Sequence, residues 1–169
     1  MAASLHYLTV QDVLWINLEA TRKPSGFHYA KLEEATYYQY AYGESKTLLP
    51  QAARFLTGFL KMRPLNAGNA ATAFIAVAAF LRANGGGLQL EDRGAVAWFD
   101  RATASRAAAT DALAQIAEPS EPDSDEPGAE EPGGDEPHEH TGHAMGMRGC
   151  IQGVLDEFPA TISALVLRG

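Results

Sequence analysis

Three groups of residues in this chain of 169 have types and spacing suited to chemistry. The first is the turn Pro64-Leu65-Asn66-Ala67-Gly68-Asn69 with Arg63 before it and Ala70 and Ala71 after it. Pro64 stiffens the approach, Gly68 permits a backbone conformation that other residues resist, and Asn69 stands where an N-terminal helix cap belongs. Free N–H groups at a helix start, with the positive end of the helix dipole behind them, attract anions. Arg63 adds a cation that keeps its proton at neutral pH. Arg63, Gly68 and Asn69 are therefore a candidate anion-binding set. A plain helix start beside a solvated or salt-bridged arginine fits the same residues.

The second group is His138, His140 and His143, whose spacing suits Ni²⁺, Zn²⁺ or Cu²⁺. Stringent metal sites need a rigid frame and outer hydrogen bonds to orient the rings, and the surrounding sequence offers neither. A solvated linker is the first reading there and weak, adventitious metal binding the second, so no stringent metal site is expected. The third is the single cysteine, Cys150. It has no histidine within six residues and lies in an apolar pattern, so it reads as a packing residue. His28 has nothing local to position it as a base and reads as a surface histidine.

The elements that position the turn follow from apolar periodicity. From Ala70 to Ala83 the only polar side chains are Thr72 and Arg82. A helix apolar nearly all round has neighbours on all sides, so this one is expected to be a buried axis. It is shorter than the ~20 residues a membrane span needs. Before it, Thr9 to Asp12 resembles a capping box, with Val10, Val13, Leu14, Asn17 and Leu18 on one face and Trp15 as an anchor. A second helix is expected from Tyr29 to Gln39. A third starts near Pro50, with Ala52, Phe55, Leu56, Phe59 and Leu60 inward, and delivers Arg63 to the turn. Two more run from Arg93 to Thr103 and from Arg106 to Ala117. Beyond the insertion, Ile151, Val154, Leu155, Phe158, Ile162, Leu165 and Val166 form a helical series, which Pro159 kinks or splits. That amphipathic stretch must bury its stripe on the body or on a partner.

The net charge of −8 is confined to one segment. Glu118 to His143 holds ten of the 21 acids and no Lys or Arg, leaving eleven acids against thirteen basic residues, or +2, for the rest. Rich in Pro and Gly and without a large apolar side chain, this stretch cannot bury enough to repay ordering. The division is thus a helical domain over 1–117, an acidic Pro/Gly/His-rich flexible insertion over 118–148, and a C-terminal helical element over 149–169. The near-neutral body is not a DNA-binding surface, and no membrane segment or signal peptide is evident. With one cysteine, a reducing cytoplasm fits.

The order Arg63-Pro64-Leu65-Asn66-Ala67-Gly68-Asn69-Ala70-Ala71, then Thr72-Ala73 and Leu81-Arg82-Ala83-Asn84-Gly85, resembles the Fic/Doc family, and its Doc-like (death-on-curing) branch in particular. The opening Tyr7-Leu8-Thr9-Val10-Gln11-Asp12-Val13-Leu14 is similar to a Doc-like start, and the likeness spans roughly Leu5 to Ala117. It implies an all-α Fic/Doc-type bundle of six or seven helices around the Ala70 to Ala83 helix. A short flap that aligns target peptides would fall at Tyr40 to Lys46.

In that family a histidine is the base, an acidic residue holds Mg²⁺, and a Lys/Arg pair clamps nucleotide phosphates. The resemblance puts Arg63 at the base position, Ala67 at the metal position, and Ala70 and Ala71 at the phosphate-clamp positions. A positioned base is worth ~10²–10⁴ in rate, so losing it with the metal ligand and both cations leaves no family chemistry. The expectation is a catalytically silent Fic/Doc-like protein that needs no cofactor and binds an anionic ligand or protein partner at the degenerate motif. One alternative is an active adenylyl- or phosphoryl-transferase using ATP and Mg²⁺ as a toxin, held by an antitoxin-like partner. The other is a purely structural or regulatory interaction module.

Overall fold

The capping box read at Thr9 forms as expected. Thr9 Oγ1 accepts from the Asp12 N–H at 3.0 Å, and the Asp12 carboxylate accepts from the Thr9 N–H at 2.9 Å, starting helix α1 (Val10–Thr21). A computed structural model describes residues 5–40, 48–86, 89–116 and 146–168. Within them the chain is all-α. After α1 come α2 (Tyr29–Tyr37), α3 (Leu48–Met62), α4 (Asn69–Ala83), α5 (Asp92–Ala102), α6 (Arg106–Ile116), α7 (Gly146–Glu157) and α8 (Pro159–Val166). The only β pairing among the described residues is one isolated antiparallel bridge, Phe27 to Leu65. No helix described is long and apolar enough to cross a membrane.

Helix α4 is the axis that its composition predicts. Every residue from Asn69 to Leu81 is buried, and α1, α3, α7 and α8 all pack against it. Phe74 shows how the shell is tied together. Its ring meets Trp98 and Phe99 of α5 and Phe158 beside α8 in edge-to-face contacts at 5.2 to 6.3 Å, an arrangement that the aromatic quadrupole favours. The C-terminal stripe is buried on the body: Ile151, Val154, Phe158, Ile162 and Leu165 all join the core.

Several boundaries and faces differ from the sequence reading. Of the two outcomes expected at Pro159 the split is the one found, with the proline at the first turn of α8, where its missing N–H costs nothing; the described helices number eight where six or seven were expected. In α1 the buried residues are Val13, Ile16 and Asn17, while Leu18 is 42% exposed, so the inward face is rotated from the one expected. Trp15 packs against the core as expected, from its edge. It is half-buried beneath the Arg148 guanidinium of α7, 4.4 Å from the ring centroid, and Arg148 Nε also donates to Asp12 at 3.1 Å. Helix α2 stops at Tyr37 because buried Gln39 turns to hold the N-terminal segment, accepting from the Leu8 N–H and donating to its carbonyl, both at 2.8 Å. Helix α3 starts at Leu48, which puts Pro50 in its first turn as expected, whereas α7 opens at Gly146, inside the stretch that composition assigns to the insertion. All of the proposed flap but Tyr40 (41–46) and the acidic tract with His138, His140 and His143 lie outside the described residues.

Candidate functional site at the start of the central helix

The turn between α3 and α4 is built by residues from three directions. Arg63 leaves α3 with a left-handed φ of 43°, its N–H still donating to the Phe59 carbonyl at 3.0 Å. The next residues pair with the segment before α2: His28 N–H donates to the Pro64 carbonyl and Asn66 N–H to the Gly26 carbonyl, both at 2.9 Å. Phe27 and Leu65 are thus a non-hydrogen-bonded antiparallel pair, the kind that brings side chains closest. Leu65 is buried, and Phe27 remains 44% exposed.

Asn69 does not cap α4. Gly68 holds the cap position at φ 78° and makes no side-chain cap bond, leaving Asn69 as the first residue of the helix. Its amide reaches back instead, Oδ1 accepting from the Leu65 N–H at 3.0 Å and Nδ2 donating to the Leu65 carbonyl at 2.7 Å. With 1% exposure, this side chain closes the turn as a ring and has no free face toward solvent.

The opposite wall comes from α1. Asn17 Nδ2 donates to the Ala67 carbonyl at 2.9 Å and to Thr72 Oγ1 at 3.1 Å. A Cβ on Gly68 would lie 2.6 Å from Thr21 Cγ2 and 2.8 Å from Asn17 Nδ2. Gly68 is therefore required twice, by its left-handed φ and by the close approach of α1. Of the three residues in the anion-binding set, Gly68 and Asn69 are buried and Arg63 is exposed. Ala71 is fully buried and Ala70 nearly so, while Ala67 is half-buried with its carbonyl taken by Asn17.

Two neighbours escape the sequence reading. Asn17 carries a signal in retrospect, a polar side chain on an otherwise apolar helical stripe. His28 is exposed but well placed. It starts α2 with Nδ1 accepting from the Lys31 N–H at 3.3 Å, while its backbone pairs with the turn. Two surface clefts, of about 370 and 270 Å³, are lined elsewhere and include no residue from 63 to 71. Among the described residues, no group of three or more His, Cys, Asp or Glu is placed to hold a metal ion. Cys150 is half-buried in α7, where burial pushes its thiol pKa up despite the opposing field of Arg82; an unactivated thiol results. Comparison with protein-family models, with curated proteins and with solved structures finds no match to this chain.

Proposed function

We propose that this chain is a catalytically silent protein of the Fic/Doc type that binds a protein partner through the rim of the turn before α4. The observation that carries the reading is the filling of that turn by the chain's own polar groups. Asn69 spends both its amide atoms on Leu65, and Asn17 spends its N–H donors on Ala67 and Thr72. The positions where the resembling family keeps its base, metal ligand and phosphate clamp hold Arg63, Ala67, Ala70 and Ala71. A phosphate approaching the Gly68 backbone from the α1 side meets Thr21 and Asn17.

The rim has the composition of a contact surface. Arg63 and Asn66 are exposed on it, and the bridge brings Phe27 and Tyr29, 44% and 57% exposed, alongside. Exposed aromatics beside arginine are the residue types that dominate binding energy at protein interfaces.

Isothermal titration with ATP, with and without Mg²⁺, separates this reading from a working transferase and from an anion site. No heat of binding in either condition is expected. Metal-dependent binding would favour a working transferase, and metal-independent binding an anion site at Arg63, Gly68 and Asn69.

A further inference from the structure

The far end of α4 gathers a different chemistry, independent of the turn. A 15-residue helix spans about 22 Å, and at its C-terminal end lies the cleft of about 370 Å³, whose described lining includes His6, Tyr7, Arg82, Met147 and Cys150. Met147 and Cys150, three residues apart in α7, share one face of that helix. Both are partly buried and packed against the core. The third donor comes from the N-terminal segment, which Asn84 holds in place: the His6 N–H donates to Asn84 Oδ1 at 2.6 Å, and Asn84 Nδ2 donates to the His6 carbonyl at 2.9 Å. Arg82 is not offered to an anionic ligand, because its guanidinium is paired with Glu157. The described lining of the cleft thus includes a cysteine, a methionine and a histidine, and no carboxylate residue.

We propose that this cleft binds a soft monovalent cation of the copper(I) class, with Cys150 and Met147 as sulfur ligands and His6 as the nitrogen ligand. Thiolate and thioether donors select copper(I), whereas Mg²⁺ and Ca²⁺ want carboxylate oxygens, which the described lining residues do not supply. Cys150 binds as the thiolate and its proton passes to solvent, so the ligand set carries one negative charge that the ion neutralises. The half-buried Tyr7 ring, stacked on Phe80 with centroids 5.9 Å apart, lines the same cleft.

The test is a competition for copper(I) between the full, reduced chain and a coloured copper(I) chelator. Three variants are Cys150→Ser, Met147→Leu (close in volume, so the fold is retained) and His6→Ala, with helical content checked by circular dichroism. A fourth replaces His138, His140 and His143 together by Ala, to remove the histidine tract as a competing ligand. The parent and the fourth variant should withdraw one equivalent of copper equally well, while each of the other three weakens binding by roughly tenfold or more. Failure of the parent to compete would overturn the proposal. So would unchanged affinity in Met147→Leu or His6→Ala, which would mark a lone thiol, or loss of binding with the histidine tract.

Discussion

Asn17 shows how one side chain can decide what a turn is able to do. It sits in α1, fifty positions before Ala67, yet its amide bonds both the Ala67 carbonyl and Thr72 Oγ1. Asn17→Ala takes this donor from the half-buried Ala67 carbonyl and the buried Thr72 hydroxyl, at a cost of about 1–3 kcal/mol, measurable as a lowered urea midpoint. Gly68→Ala should lower it too, because alanine strains at φ 78° and its Cβ runs into Thr21 and Asn17. The need for glycine at 68 was legible in the sequence. The role of Asn69 was misread, since Asn before a helix usually caps it, and only the return of the chain at Leu65 offers it a better pair of partners. No local pattern announces a hydrogen bond across fifty residues, so Asn17 could be placed on a face but not given a task.

Element by element, the central helix was the most legible, because continuous apolar sequence over 70–83 leaves no face for water. Phe74→Ala should cost about 3–5 kcal/mol, since three aromatic neighbours lose their common partner. Phe74→Asp or Val77→Asp should unfold or aggregate the protein by burying an unpaired charge; soluble, fully helical variants at both positions would mean that α4 is not the axis. The shell helices were less legible, because their inward faces depend on what they meet. Helix α8 is the clearest case. Its first turn is satisfied from α5, where Asp92 accepts from the Ala160 and Thr161 N–H groups at 3.0 and 2.9 Å and from Thr161 Oγ1 at 2.7 Å. Desolvation pushes the Asp92 carboxyl up, but these hydrogen bonds together outweigh it and hold its pKa below the ordinary carboxylate value. A group depressed in the folded state stabilises above its unfolded pKa, about 3.9, and that stability is lost as pH falls through the folded value. Unfolding free energy should therefore fall as pH drops below about 4, and less steeply in Asp92→Ala. Equal slopes in the two proteins would show that this clasp does not contribute.

At the scale of the whole molecule, a turn filled by the chain's own polar groups is held by a well-built frame. α1 and α3 bring Asn17, Thr21 and Arg63 to the start of α4, α7 and α8 close its other side, and Asn84 ties the N-terminal segment to its far end. That economy explains why the fold class could be read from composition and periodicity while the site could not. The fold is a sum of many apolar positions, but the site depends on a few long-range hydrogen bonds. The central claim is that this frame supports binding without group transfer. It is tested most directly by incubating the purified full chain with Mg²⁺, a bacterial lysate and ATP labelled in turn on the α- and γ-phosphate. The account predicts no labelled protein above background in either case. Transfer that survives repurification of the chain and disappears in Asn69→Ala would contradict it.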